Sequence, residues 1–329
     1  MSVEVLEEEA TKAIFDVKFN GLEYIRTYYP DITDVEILLT IMYLLHTNAD
    51  GNYVIDSISR KTLAQREVIE NIAIFDFYRE VVERFLREFP LGDIRVLDIG
   101  GGPTIYQHIG LSLVASHITH AEFLESNRAE VISWLREEDR AHNWDTYFML
   151  VQELFKYGHI PTIISDQISS GDERIKSHAL LIENALKSST AEAFKDLVRA
   201  CIGGDVVHCD MFQDGLGLTE TSAPYHVVTS NFVAESAAQS LRQWEQGVRN
   251  MLSLVAPGGY FVQTAIKNAT WYQVGTERLP AVAVSQEMIN EKFEKQGFEI
   301  IYEKVLEGSA ADVVGYDGMI FTLARKAGA

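Results

Sequence analysis

Ile94-Arg95-Val96-Leu97-Asp98-Ile99 leads directly into the turn Gly100-Gly101-Gly102-Pro103. The apolar stretch predicts a short buried strand, and the glycines predict a tight loop whose backbone can approach a ligand closely. Residues 104–114 predict the helix that follows, with Pro103 at its first position. Because the N-terminus of a helix offers unpaired N–H groups and partial positive charge, this strand–loop–helix unit suits a nucleoside cofactor.

Strand and helix signals alternate on the C-terminal side of this loop. A second strand is predicted over 117–121, ending at Glu122, and a helix follows over 127–138. Further strands are predicted over 205–209, 225–230, 259–265, 298–306 and 318–325, and further helices over 237–254 and 286–296. Such a β-α-β-α series is typical of a parallel sheet with helical crossovers, so the sequence predicts an α/β fold.

Two helical additions extend this minimal domain. Before the first strand, apolar periodicity predicts helices over 1–29, 34–46 and 61–89. Within the domain, a mostly helical insertion is predicted at about 150–203, with a break around 169–171. We therefore expect a helical N-terminal cap over 1–92, which is also a candidate dimerisation region, and the α/β domain over 93–329.

Charge and composition exclude several classes of partner. The 329 residues include 28 Lys and Arg against 48 Asp and Glu, a net charge of −20, which repels phosphate backbones and argues against nucleic acid. No apolar run approaches a membrane span, and the acidic start of the chain lacks a secretory signal pattern. Cys201 and Cys209 form no disulfide or metal pattern, so a cytoplasmic protein is expected.

The glycine loop is compatible with a dinucleotide such as NAD or with another adenosine-containing cofactor. The dinucleotide fingerprint needs a third glycine where this sequence has Ile105, which disfavours NAD and a dehydrogenase. Glu122, 24 residues after Asp98, can accept hydrogen bonds from ribose hydroxyls, and Asp210 follows a third strand, where it can bind an adenine amino group. The remaining alternative is a tight turn with two exposed carboxylates.

Residues 97–107 resemble the cofactor loop of the nicotinamide, phenylethanolamine and thioether (indolethylamine) N-methyltransferase family. Other matching segments are Phe19-Asn20 with Tyr24 and Tyr28-Tyr29, Pro257-Gly258-Gly259-Tyr260, Trp271-Tyr272, Gly275 to Leu279, and Leu323-Ala324-Arg325-Lys326. The resemblance covers about 15–30, 94–150 and 204–326. It implies a Rossmann-like class I methyltransferase fold, a parallel sheet with an antiparallel C-terminal strand. It also implies S-adenosylmethionine as the cofactor and S-adenosylhomocysteine as its product.

The loop and the resemblance together imply the site residues. Cofactor contacts are expected at Tyr24, Tyr29, Asp98, Gly100, Gly102, Thr104, Tyr106, Glu122, Asn127, Asp210, Met211 and Asn231. Acceptor contacts are expected at Tyr28, Phe232, Glu235 and Tyr272, of which Phe232 and Tyr272 would sandwich a flat molecule. The expected catalytic residues are Glu235, facing the acceptor amine, and Tyr24, in a tyrosine wall that excludes water.

Several positions depart from the branches of that family. Ala265 and Ala281 stand where the nicotinamide branch holds its carboxamide with an aspartate and a serine, which disfavours nicotinamide. Ala269 stands where the phenylethanolamine branch has a second amine-side acid, which disfavours catecholamines. Gln263 and Thr264 are polar residues late in a strand and are candidates to replace those contacts.

The resulting hypothesis is methyl transfer to a small, basic acceptor. Orienting the nucleophile against a sulfonium methyl can lower the barrier by about 7–11 kcal/mol, and Glu235 would take the proton of the amine. The acceptor would be an amine, an N-heterocycle or a guanidinium compound such as arginine. The alternatives are methylation of oxygen or sulfur, or a cofactor-binding protein without turnover. No metal is expected, and His108, His117, His120 and His208 favour structural roles.

Overall fold

The computed structural model describes residues 19–29, 53–54, 63–156, 158–169, 171–218, 224–308 and 311–328. Of the predicted helix over 1–29, the described part is a helix from Gly21 to Tyr28, which begins after the Asn20 cap. The predicted helix over 34–46 lies outside the described residues. No helix in the described ranges is both long and apolar enough to cross a membrane.

Helices and strands alternate along most of the chain. The helices are α1 Gly21–Tyr28, α2 Leu63–Glu88, α3 Tyr106–Leu111, α4 Glu125–Leu135, α5 Asp145–Lys156, α6 Ile160–Ile168, α7 Glu173–Lys187, α8 Glu192–Ile202, α9 Ala234–Ala237, α10 Leu241–Ser253, α11 Gln286–Lys295 and α12 Ala311–Val314. The strands are β1 Tyr53–Val54, β2 Ile94–Ile99, β3 Ala115–Glu122, β4 Val206–His208, β5 Tyr225–Asn231, β6 Val255–Lys267, β7 Trp271–Val274, β8 Glu277–Pro280, β9 Phe298–Glu307 and β10 Gly318–Lys326.

The central sheet has the predicted topology. Its strand order is β4-β3-β2-β5-β6-β10-β9-β1, and β7 and β8 form a separate hairpin. Strands β2 to β6 pair in parallel, whereas β10 runs antiparallel to both β6 and β9. Strand β2 lies between β3 and β5, with helices on both faces of the sheet. Its last four residues are therefore all buried, as is typical of a central parallel strand. The Rossmann-like class I methyltransferase fold is therefore confirmed.

Helix α2 fills one face of this sheet. The predicted helix over 61–89 is confirmed, and its residues from 69 to 78 are buried almost all around the helix. The Phe77 ring lies 5.8 Å from the Tyr302 ring and 5.4 Å from the Phe321 ring. The Tyr78 hydroxyl reaches across to Thr229 and Asn231 on β5, 2.9 and 3.0 Å away. These contacts fix α2 against the strands that carry the site.

The insertion consists of α5 to α8 on the same side of the domain. The Gln152 side chain donates to the carbonyls of Ala185, Leu186 and Ser188, so that α5 holds the C-terminal end of α7. Gly203, with a positive φ of 57°, ends α8 just before β4. The segment predicted as a helical insertion contains these four helices, and its status as an insertion stays a prediction. The boundary at residue 92 and a dimer stay predictions.

One predicted helix is shorter in the structure, and one hairpin was not predicted. The helix expected over 104–114 is only α3, and Pro103 lies in the preceding turn instead of at the first helical position. The cause is local, since the Thr104 hydroxyl donates to the Gly101 carbonyl at 2.8 Å and holds that stretch as a turn. The hairpin β7–β8 was not predicted, although Gly275, with φ of 56°, is a typical hairpin residue.

Candidate active site

A cavity of about 300 Å³ opens at the carboxyl ends of the parallel strands. Its walls include the first residues after β2, β3, β4 and β5, namely Gly100, Phe123, Cys209 and Phe232. This is the position at which open α/β sheets bind their ligands. Helices α1 and α2 close the cavity from the other side, whereas no described residue of α5 to α8 lines it.

The glycine loop after β2 depends on having no side chains. Gly100 and Gly102 have positive φ angles of 65° and 64°, which side-chain-bearing residues rarely adopt. A Cβ on Gly101 would lie 2.3 Å from Asp98 Oδ2 and 2.4 Å from His120 Cε1, so the interior is filled up to the backbone. On the cavity side, a Cβ on Gly102 would meet no atom within 4 Å, which leaves room for a ligand.

Glu122, at the end of β3, connects this loop to the next helix. Its Oε2 accepts a hydrogen bond from the Gly102 N–H at 3.1 Å, and its Oε1 accepts from Leu124 N at 2.8 Å and Asn127 Nδ2 at 3.1 Å. A carboxylate offers about four acceptor positions, so Glu122 can also accept ribose hydroxyls. Among the described residues, the buried Asn127 Oδ1 has no hydrogen-bond donor, and Asn127 also lines the cavity. These residues fit an adenosyl cofactor.

Asp210 also lines the cavity, just after β4, the strand that pairs with β3. Its Oδ1 accepts from the Phe212 N–H at 2.9 Å, and its Oδ2 accepts from Gln213 Nε2 at 3.2 Å. The side chain is oriented by these local bonds, with Met211 beside it in the cavity wall. The placement fits the predicted contact with an adenine amino group.

Four tyrosines form the wall between the two ends of the cavity. The Tyr29 and Tyr106 rings stack with centroids 4.9 Å apart, and the Tyr24 and Tyr28 rings are also 4.9 Å apart. Burial, together with the nearby charges of Glu235 and Glu122, holds the pKa of Tyr24 well above its ordinary value. Tyr24 therefore keeps its proton at neutral pH and can act as a hydrogen-bond donor but not as a base.

Aromatic side chains line the part of the cavity where the acceptor is predicted to bind, which is called the acceptor end below. Tyr272, from the unpredicted hairpin, and Phe232, after β5, both line it, together with Ile266 of β6. Phe232 has a φ of 58°, a strained value for a residue with a side chain, and its N–H donates to the Thr264 carbonyl at 2.8 Å. The strain is held by the sheet and keeps the Phe232 ring at the cavity.

Glu235 lies behind this wall and not in it. The side chain is fully buried, its Oε1 accepts from the Ile266 N–H at 2.8 Å, and Oε2 has no hydrogen-bond partner among the described residues. Burial raises the pKa of Glu235 to about 7, although the backbone N–H bonds act in the opposite direction. The prediction that Glu235 faces the acceptor directly therefore needs correction, because Glu235 is not among the residues that line the cavity.

Asp98 also lies outside the cavity, contrary to the predicted cofactor contact. Its Oδ2 accepts from Gln107 Nε2 at 2.7 Å and lies 2.9 Å from His108 Nε2 and 3.5 Å from His120 Nδ1. Burial opposes ionisation, but hydrogen bonds from the two histidines outweigh it and hold the pKa of Asp98 well below its ordinary range. Asp98 therefore supports the glycine loop from beneath.

The same three side chains form a cluster that residue spacing did not reveal. Ligand-type atoms of Asp98, His108 and His120 lie within 4.8 Å of one another, all of them buried. His120 Nε2 lies 3.1 Å from the Gly102 carbonyl, and burial lowers the pKa of His108. The contact of 2.9 Å between His108 and Asp98 is a hydrogen-bond length, and the structural roles expected of these histidines stay predictions.

Most predicted site residues lie together in the cavity wall. Those that line it are Tyr24, Tyr28, Tyr29, Gly100, Gly102, Thr104, Tyr106, Glu122, Asn127, Asp210, Met211, Asn231, Phe232 and Tyr272. Gln263 and Thr264 do not line it, but Thr264 Oγ1 donates to Asn231 Oδ1 at 2.9 Å and so orients a lining residue. Sequence reasoning missed Glu70, Asn71, Tyr316 and His208, which also line the cavity.

The sequence profile of the NNMT/PNMT/TEMT family matches residues 62–157 and 173–327. The chain belongs to this family. Its members are S-adenosylmethionine-dependent methyltransferases, so this chain is an enzyme of that class and uses S-adenosylmethionine as its cofactor. The predicted family, enzyme class and cofactor are thereby confirmed, and the family assignment replaces the dinucleotide alternative.

Individual relatives are more distant. Phenylethanolamine N-methyltransferase from Macaca mulatta is 28% identical over 239 residues, 71% of this chain and 73% of that protein. Indolethylamine N-methyltransferase from Oryctolagus cuniculus is 27% identical over 234 residues, 70% of this chain and 76% of that protein. The structure of magnesium protoporphyrin IX methyltransferase from Synechocystis PCC 6803 with bound S-adenosylhomocysteine gives a TM-score of 0.48 at 11% identity, over 98% of this chain and 100% of that one.

Proposed function

We propose that this methyltransferase acts on nitrogen in a small basic acceptor, such as an amine, an N-heterocycle or a guanidinium compound like arginine. The observation that carries the proposal is the acceptor end of the cavity, where the aromatic side chains of Phe232 and Tyr272 adjoin the buried carboxyl of Glu235. Aromatic faces and a nearby negative charge favour a flat or cationic molecule. The amine substrates in the names of the relatives agree with this chemistry.

The cavity residues divide between two tasks. When bound, S-adenosylmethionine supplies an activated methyl group on a positively charged sulfur. Glu122 would accept the ribose hydroxyls and Asp210 the adenine amino group, and the glycine loop would let the backbone approach the cofactor. Tyr24 and Tyr28 would exclude water and favour the positive charge through their ring faces. Holding the acceptor nitrogen in line with the methyl then supplies most of the rate.

Glu235 is the proposed proton acceptor. An amine attacks only when its lone pair is free, and methylation of a neutral amine leaves a proton on nitrogen that must depart. A carboxyl with a pKa of about 7 is balanced between its two states near neutral pH, which suits a general base. Because Glu235 does not line the cavity, we propose that the proton reaches the unpartnered Oε2 through a water molecule.

The test combines binding with turnover. Thermal unfolding is compared with S-adenosylmethionine, S-adenosylhomocysteine and NAD, since a ligand at a hundredfold excess over its Kd stabilises by about 2.7 kcal/mol. Release of S-adenosylhomocysteine is then measured with 2-phenylethylamine, arginine, a pyridine and a phenol. We expect stabilisation by the two adenosyl compounds and turnover of nitrogen acceptors. Turnover of the phenol alone would refute nitrogen as the methylated atom.

A further inference from the structure

Glu70 is an acidic residue in the cavity wall that has no role in the cofactor binding or the methyl transfer proposed above. It belongs to α2, is 3% exposed, and lines the cavity. Its Oε2 accepts a hydrogen bond from the Tyr316 hydroxyl at 2.9 Å, although 246 positions separate the two residues. A carboxylate that lines a ligand cavity can accept hydrogen bonds from a ligand as well as from the protein.

Tyr316 places this carboxylate at the acceptor end. The Tyr316 side chain packs in one buried cluster with Ile266, Ala269 and Tyr272, against which Phe232 also packs. Ile266, Tyr272 and Phe232 are the residues that surround the acceptor end, whereas Glu122 and Asp210 mark the cofactor end. The carboxyl that Tyr316 holds therefore belongs to the acceptor half of the cavity.

Both residues are held by rigid surroundings. The backbone around Tyr316 is pinned on each side, because Thr270 N donates to the Gly315 carbonyl and Asp317 N donates to the Lys267 carbonyl, each at 2.9 Å. Next to Glu70 on α2, Asn71 Nδ2 donates to the Tyr28 carbonyl at 2.8 Å. Such a preorganised carboxylate can select a ligand, because little freedom is lost when the ligand binds.

We propose that Glu70, oriented by Tyr316, binds the cationic group of the acceptor, a protonated amine or a guanidinium. This inference rests on the proposed function and assigns the specificity of its acceptor end. A carboxylate offers about four acceptor positions, so Glu70 can receive the Tyr316 hydroxyl and a cation together. Hydrogen bonds between ionised partners are stronger than neutral ones, and the surrounding aromatic rings exclude competing water. Glu70 then selects cations over neutral molecules of the same shape.

The test compares cations with a neutral isostere in the protein saturated with S-adenosylhomocysteine. Calorimetry gives the Kd of 2-phenylethylamine, benzylguanidine and 2-phenylethanol for the wild type, Glu70→Gln and Tyr316→Phe. Glu80→Gln is the matched control, since Glu80 lies on the same helix, pairs with Arg79 and does not line the cavity. We expect Glu70→Gln to weaken both cations at least tenfold and 2-phenylethanol less than twofold, with a smaller loss for the cations in Tyr316→Phe.

The outcomes separate this inference from the proposed function. Equal Kd values for the cations in the wild type and Glu70→Gln would overturn it, as would equal losses for 2-phenylethanol and the cations, or no binding of either cation by the wild type. Failure of the proposed function shows up elsewhere, as wild-type protein that binds S-adenosylmethionine but methylates no nitrogen acceptor. A Glu70→Gln variant that still methylates a neutral pyridine while its KM for amines rises would support the inference further.

Discussion

The Gly102 N–H donates a hydrogen bond to the Glu122 carboxylate across 3.1 Å, so the last residue of β3 holds the loop that follows β2. The same carboxylate accepts from Asn127 on α4 and thereby ties three neighbouring segments to one point of the cavity wall. Glu122 is therefore both a proposed ribose ligand and a support for the loop beside the ribose. Removing its carboxylate should affect cofactor binding through both roles.

Replacing Glu122 with alanine should abolish most cofactor binding. Loss of hydrogen bonds to a charged group costs about 1.5–3 kcal/mol, which corresponds to a rise of roughly 10- to 150-fold in the Kd of S-adenosylhomocysteine. Calorimetry measures this directly. Glu125→Ala is the control, because Glu125 has the same charge, lies three residues away and is exposed. Equal Kd values for Glu122→Ala and Glu125→Ala would show that Glu122 makes no contact with the cofactor.

Asp98→Asn should destabilise the fold, because Asp98 supports the glycine loop from outside the cavity. Gln107 and His108 lose the charged acceptor of their hydrogen bonds, and such a loss costs about 1.5–3 kcal/mol. The pKa of Asp98 is lower in the folded protein than its value of 3.8 in the unfolded chain. The extra free energy of unfolding of the wild type is therefore fully present above pH 3.8 and is lost only as the pH falls through the folded-state pKa. Urea unfolding between about pH 4.5 and about pH 7 should show a constant difference in the free energy of unfolding between the wild type and Asp98→Asn.

The matched control for that experiment is Asp205→Asn. Asp205 also accepts from a histidine, His117 at 2.8 Å, but both side chains are more than a third exposed. Solvent screens such pairs, so its loss should cost less than about 1 kcal/mol. A loss for Asp98→Asn no larger than that for Asp205→Asn would mean that the buried cluster does not anchor the loop.

Local patterns in the sequence were enough to predict the sheet and the cofactor half of the site. The strand over 94–99, the glycines after it and Glu122 are close in sequence, and parallel strands bring their carboxyl ends to one edge. The structure places the predicted Asp210 and Asn231 at that edge for the same reason. These elements could be predicted because hydrophobic periodicity and the alternation of strands with helices are visible in short stretches of the sequence.

The acceptor half depends on contacts that no local pattern encodes. Glu70 and Tyr316 meet across 246 positions, and Glu70 lies in a helix whose apolar stripe gave no sign that its polar residues face a ligand. The carboxyl of Glu235 is held by β6, since the Ile266 N–H donates to it. The sequence marks these residues as acidic or aromatic, but only the packing of α2 and β6 decides which of them reach the cavity.

Glu235→Gln should change how the rate depends on pH. If Glu235 accepts the proton of the acceptor, only its ionised form is active, so kcat/KM of the wild type should rise as the pH increases through about 7. Aniline is the suitable acceptor, because it is already uncharged in this range yet must lose a proton on methylation. The glutamine variant should be slower by about 100-fold or more and show no such rise. An unchanged profile would rule out Glu235 as the base.

The same raised pKa predicts how stability depends on pH. Folded Glu235 keeps its proton up to about pH 7, whereas the unfolded chain releases it near 4.5, so the free energy of unfolding that Glu235 contributes falls as the pH rises between these values. Glu235→Gln cannot ionise and should not show this loss. Chemical unfolding at several pH values measures the difference, and parallel curves for the two proteins would contradict a raised pKa.

Asn20→Ala should weaken cofactor binding without lowering the stability of the domain much. Asn20 Oδ1 accepts from the N–H groups of Leu22 and Glu23, capping α1, which carries Tyr24 and Tyr28. Loss of a cap costs about 1 kcal/mol, so the KM for S-adenosylmethionine should rise about fivefold. Ser285→Ala removes the cap of α11, away from the cavity, and should lower Tm while leaving KM unchanged. A similar KM for both variants would mean that α1 does not help to close the cavity.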